Sequence, residues 1–103
     1  MKSIINNINK VFENRVRLGI MSVLTVRQNT DFNSLKKTLQ LTDGNLASHL
    51  RTLEKEEYIN VNKQFVGRKP QTNYDVTEKG RKAFEEHITA LEQLIKQQHY
   101  DED

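Results

Sequence analysis

Thr42-Asp43-Gly44-Asn45-Leu46-Ala47-Ser48-His49-Leu50-Arg51-Thr52-Leu53-Glu54-Lys55 is the stretch whose residue types and spacing can do chemistry. Leu46, Leu50 and Leu53 recur at i, i+4 and i+7, one stripe of an α-helix. The opposite face then carries Gly44, Asn45, Ser48, Arg51, Thr52 and Lys55, each small, hydrogen-bonding or basic. Such a face suits the edges of nucleic-acid bases. An amide such as Asn45 can pair bidentately with adenine and a guanidinium such as Arg51 with guanine, each pair worth about 1–3 kcal/mol of discrimination. Gly44 and Ser48 leave room for the unpaired N–H groups of the helix N-terminus to approach phosphate or base edges. Thr42 is read first as the N-cap and also as a contact. No carboxylate stands between Asn45 and Thr52, whereas Glu54, Glu56 and Glu57 crowd the C-terminal end. There they oppose the helix dipole and repel phosphate, so only the N-terminal half suits insertion. An ordinary solvated helix face is the alternative.

Other chemistries find little support. The chain has no cysteine, which excludes a disulfide framework, a thiolate zinc site and a thiol nucleophile. Ser48 and His49 are adjacent and point to different helix faces, so they form no dyad. His49 borders the leucine stripe and reads as a packed residue with a local hydrogen bond; His87 and His99 read as solvated groups near the acidic end. Without a His-x-x-x-His spacing, a glycine-rich phosphate loop or a nucleophile elbow, neither metal, cofactor nor enzymatic activity is expected. No apolar run is long enough to span a membrane. The stretch from Met1 to Phe12 lacks a small-residue cleavage site, so a cytoplasmic protein is expected.

These residues must be positioned by a chain of 103 residues, the size of one small domain. Leu, Ile, Val and Phe together make up 28 residues, enough for a modest core. Ile4, Ile5, Ile8, Val11 and Phe12 form a stripe that predicts an N-terminal helix over 1–14. Asn14 can cap a second helix from Arg15 to about Arg27. Val16, Ile20, Val23 and Leu24 lie on one face of it and Leu18 and Met21 opposite, so both faces should be covered. Asn33 is the expected N-cap of a short helix over 34–40 with Leu35 and Leu39 inward. The Thr42-capped helix should end near Tyr58. The period then changes to two: Ile59, Val61 and Phe65, then Thr72, Tyr74 and Val76, alternate with polar residues around a turn from Val66 to Pro70, a β-hairpin. Thr77 caps a last helix over 78–98, about 30 Å long, with the stripe Phe84, Ile88, Leu91, Leu94 and Ile95.

The net charge of +2 conceals an asymmetry. Residues 1–55 carry nine basic and four acidic side chains, 56–82 six and four, and 83–103 one and six, a body of +7 before an end of −5. A polyanion would meet the former.

The element order is that of a winged helix–turn–helix, although three-helix units with an added hairpin also serve as protein-docking modules. The residues from Thr42 to Leu50, with Leu53-Glu54 and Tyr58-Ile59, resemble the recognition helix of MarR/ArsR-like winged-helix transcriptional regulators. Gly67-Arg68-Lys69-Pro70-Gln71-Thr72, with Tyr74 and Val76-Thr77-Glu78-Lys79-Gly80-Arg81, resembles that group's wing and the start of its last helix. The likeness covers about residues 15–85.

It implies a mainly α, winged helix–turn–helix fold with a small β-hairpin and extra terminal dimerisation helices, in a prokaryotic regulator. The parts would be an N-terminal helix (1–14), a winged core (15–77), a dimerisation helix (78–98) and an acidic tail (99–103). The implied partner is double-stranded DNA, with Thr42, Gly44, Asn45, Ser48, Arg51, Thr52 and Lys55 in the major groove. Arg68 and Lys69 would sit on the minor groove, and Asn33, Lys36 and Lys37 on the backbone. The apolar stripes of the terminal helices exceed what a small core covers, which suggests a homodimer through Ile4, Ile8, Val11, Leu18, Met21, Phe84, Ile88, Leu91 and Ile95. A two-fold dimer would place two recognition helices about 34 Å apart on a pseudo-palindromic operator.

Overall fold

A computed structural model describes residues 4–100, with side chains through residue 96. The acidic residues Asp101, Glu102 and Asp103 and the side chain of His99 lie outside the described residues, as do positions 1–3 of the expected N-terminal helix.

That helix is replaced by two 3-10 turns, Ile4–Asn7 and Lys10–Phe12. Asparagine is the cause. Asn9 is extended (φ −90°, ψ 120°) and its side chain accepts from the Val11 N–H; Asn14 is also extended (φ −132°, ψ 127°). Both offer the backbone a side-chain partner in place of a helical one. The apolar stripe still sends Phe12 inward, its ring 5.3–5.4 Å from Tyr58, Phe84 and His87. Asn14 does cap α1, Arg15–Leu24, by accepting from the N–H groups of Val16 and Arg17. Both faces of α1 are covered within the one chain: Met21 is fully buried, and Leu18 packs against the core.

Asp31, not Asn33, caps α2, Phe32–Leu39. Its carboxylate accepts from the Ser34 hydroxyl and N–H, and the first of these does most to hold its pKa below the usual range. Asn33 lies exposed in the first turn instead. Gln40, left-handed at φ 54°, ends the helix. Thr42 caps α3, Asp43–Lys55, its hydroxyl accepting from the Asn45 N–H at 3.2 Å. Leu46, Leu50 and Leu53 are buried as the spacing required. The helix stops short of Tyr58 because Glu57 turns left-handed (φ 63°), letting the Tyr58 N–H reach the Leu53 carbonyl at 3.0 Å.

The hairpin is formed by β2, Ile59–Val66, and β3, Lys69–Val76. Its turn is only Gly67-Arg68, with Gly67 at φ 66°, so Lys69 and Pro70 belong to β3. A two-residue strand, β1 (Thr30–Asp31), has no sequence signature, because two residues show no alternation. It completes an antiparallel sheet of order β1-β3-β2. The Thr77 hydroxyl accepts from the Gly80 N–H at 2.8 Å and opens α4, Glu78–Tyr100. The core lies where α1, α3, the base of the hairpin and the first half of α4 meet.

Candidate nucleic-acid interface

With the three leucines anchored, α3 presents Gly44, Asn45, Ser48, Arg51 and Lys55 to solvent, and Thr52 half-buried at the edge of that face. Three of the sequence candidates are partly engaged. The Thr42 hydroxyl serves the cap, and the Thr52 hydroxyl donates to the Ser48 carbonyl at 3.4 Å. Lys36 of α2 reaches across to Asp43, Nζ to Oδ1 2.7 Å, pinning α2 to the first turn of α3. The pair is solvated and adds little stability, but it sets a carboxylate beside the Lys36 ammonium. Lys37 and Asn33 are exposed on α2. At the far end of the hairpin, Arg68 and Lys69 are exposed around Gly67. The α3 face and the wing tip therefore stand on separate elements, and the structure holds both open to solvent.

Two histidines depart from the roles their sequence positions suggest. His49 is held not locally but by α1: its Nδ1 lies 3.0 Å from Arg17 Nη1, while Arg17 Nε donates to the Val11 carbonyl at 2.6 Å. Burial first, and the Arg17 charge second, hold the His49 pKa below its ordinary value, consistent with a neutral ring accepting from arginine. Arg17 is thus a strut behind α3. His87 is not solvated but buried; its Nδ1 accepts from the Asn9 N–H at 3.0 Å, and burial lowers its pKa against an opposing effect of Glu13. Asn9 Nδ2 in turn donates to the Tyr58 hydroxyl at 3.0 Å, tying the N-terminal turns to α4 and to the end of α3. No local pattern signals these bonds, whose partners are 78, 49 and 32 positions apart.

The expected subunit interface also needs correction. Met21 and Phe84 lie in the core, 0% and 8% exposed, and have almost no area left for a second subunit. Val11, Leu18 and Ile88 are partly buried against the same core. Ile4, Ile8 and Leu91 are half-buried, and Ile95 is largely exposed. Phe65, whose spacing continues the inward face of the hairpin, projects beyond the core and is 75% exposed. Among the described residues, no group of three or more His, Asp or Glu is placed to hold a metal ion, and no helix is long and apolar enough to cross a membrane.

Residues 16–95 match the family model of the winged helix DNA-binding domain. The chain belongs to that family. The family is one of DNA-binding modules rather than enzymes, in keeping with a site made of hydrogen-bonding and cationic side chains. An uncharacterized protein of Methanocaldococcus jannaschii is 38% identical over 87 residues, 84% of this chain and 95% of its own. The transcriptional regulator homologue of Pyrococcus horikoshii OT3 is 33% identical and superposes with a TM-score of 0.81 over 90% of both chains. MepR of S. aureus, in its DNA complex, shares the fold at 18% identity, with a TM-score of 0.74 over 92% of this chain and 77% of its own. The winged-helix fold implied by the resemblance of Thr42–Leu50 and Gly67–Thr72 is borne out.

Proposed function

We propose that this winged-helix protein is a dimeric, sequence-specific DNA-binding transcriptional repressor of the cytoplasm. In this reading the N-terminal half of α3 enters the major groove and the Arg68–Lys69 tip rests on the minor groove. The observation that carries it is the exposed α3 face, on which Asn45, Ser48 and Arg51 stand free of carboxylates and above a fully buried leucine stripe. That MepR, of the same fold, was solved on DNA supports it. Thr42, Gly44, Thr52 and Lys55 complete the contact, with Asn33, Lys36 and Lys37 on the flanking phosphates.

Duplex binding measured against salt tests this. About six phosphate contacts give a log K versus log salt slope near −5, at about −0.9 per contact. A flat isotherm on random duplex overturns the proposal in favour of a protein-docking module.

The dimer uses the apolar area that the fold leaves uncovered on the terminal segments, centred on Ile4, Ile8, Leu91 and Ile95. Two α3 helices then face a pseudo-palindromic operator about 34 Å apart. Leu91→Asp combined with Ile95→Asp is expected to give monomers in sedimentation without lowering the melting temperature by more than a few degrees. A dimer of undiminished stability would place the interface elsewhere.

A further inference from the structure

The register of the hairpin puts one row of cross-strand pairs on one face: Ile59 with Val76, Val61 with Tyr74, Lys63 with Thr72, and Phe65 with Pro70. At the base this row is core, with Ile59 2% and Tyr74 7% exposed. Towards the tip the row continues as an apolar pair, Phe65 and Pro70, one rung below the turn. Phe65 is 75% exposed, and burying such a ring in this chain would have been favourable. Phe65 and Pro70 are bracketed by Lys63 on one side and by Arg68 and Lys69 on the other, and residues 59–73 contain no carboxylate at all. Asp31 of β1 shares a surface pocket with Lys69 and Pro70, but the hairpin end stays net cationic, and an exposed apolar wedge among cations is complementary to a polyanion whose interior is apolar.

From this we infer that Phe65, backed by Pro70, is a wedge that inserts between base pairs from the minor groove when the wing engages duplex DNA. The inference rests on the DNA-binding function proposed above. A two-stranded ribbon is about 5 Å across between strand axes, and a B-form minor groove is about 6 Å wide, too narrow for a ribbon with its side chains. The groove must open, and an apolar side chain that partly unstacks one base step opens it, kinking the duplex by about 20–90° towards the major groove. Arg68 and Lys69 hold the flanking phosphates while Phe65 replaces the lost base–base stacking. The Gln64 amide, which donates to Gln71 Oε1 at 3.2 Å, stiffens the rung between Lys63 and Phe65. The wing thereby contributes to sequence preference as well as to affinity, because flexible pyrimidine–purine steps are easier to unstack.

The test uses the full chain and a duplex that it enriches from a random pool, end-labelled for energy transfer to read bending. Wild type is expected to shorten the end-to-end distance. Phe65→Ser is expected to bind about tenfold more weakly, with the bend lost and the salt slope unchanged. Phe65→Leu, which keeps an apolar wedge, retains most of the bend. Phe65→Ser binding and bending like wild type overturns the inference while leaving DNA binding standing. A change from dimer to monomer in sedimentation on Phe65→Ser also overturns it, because the ring is then a subunit contact. Failure of wild type to enrich any duplex removes the DNA-binding proposal itself and the wedge with it.

Discussion

Gly80→Ala is expected to lower the melting temperature by roughly 12–24 °C, the equivalent of about 3 kcal/mol in a domain of this size. A Cβ on residue 80 would stand 2.1 Å from the Tyr58 carbonyl oxygen, 2.8 Å from its carbon and 2.9 Å from its Cα. No rotamer change relieves this, because every atom in the clash is backbone. Neither partner can withdraw easily. The Thr77 N–H donates to that same Tyr58 oxygen at 3.0 Å, and the Thr77 hydroxyl donates to the Glu57 carbonyl at 2.7 Å. Glu57 is already left-handed at φ 63°. Moving α4 away breaks these bonds and pulls Phe84 from its edge-on packing with Phe12, at 5.4 Å. Gly44→Ala is the control: nothing lies within 4 Å of the place its methyl group would take, and alanine favours the helix, so stability is expected to hold or rise slightly. Circular-dichroism melts of the two variants decide the matter. A Gly80→Ala protein melting within a few degrees of wild type would show that the α4 junction yields more than this packing allows.

The same junction shows what can be read from the chain alone. Thr77 is legible as a cap and Leu46, Leu50 and Leu53 as core, because capping and helical period are properties of neighbours in sequence. Gly80 is visible as part of a motif, but its reason, close approach to the Tyr58 backbone, is a contact between elements. The N-terminal stripe has the right period and points to the wrong element, because Asn9 and Asn14 take extended backbones that the apolar pattern cannot show. Asp31 displaces Asn33 as a cap by two positions, a choice between two competent cap residues that depends on where β1 leaves the chain. His49 and His87 read from the chain as having local or solvent partners, yet their bonds to Arg17 and Asn9 span the fold. The exposed face of α3 is legible for the opposite reason: a binding surface is what remains when the core positions are removed. The expected dimer contacts fail at Met21 and Phe84 because a small core covers more of each stripe than its size suggests.

Arg51→Ala and Asn45→Ala are expected to separate cleanly from Arg68→Ala combined with Lys69→Ala. Arg51 and Asn45 are exposed on α3, opposite the buried leucines, and their truncation leaves the core intact. On an enriched duplex each should cost about 5- to 150-fold in affinity, the equivalent of about 1–3 kcal/mol for a missing bidentate base pairing. Discrimination should collapse at the base pair concerned and persist elsewhere. On random duplex the same variants should lose far less, because base pairing there is already imperfect. The wing pair acts through charge. Its removal should weaken enriched and random duplex by nearly the same factor, and should reduce the steepness of the salt slope by about 2, one for each phosphate no longer neutralised. Titrations of both duplexes, repeated for single-base-pair changes and at several salt concentrations, read all of these effects. Equal losses on every sequence for all variants would mean that α3 only lies along phosphates, and the division between a reading helix and a gripping Arg68–Lys69 pair would fall. A base-specific loss on removing Arg68 and Lys69 would instead move part of the readout into the minor groove, where the A·T and G·C patterns differ by a single amino group. The opposite signs of these two departures make the experiment decisive, because charge alone cannot produce base-pair-specific losses and base contacts alone cannot flatten the salt dependence.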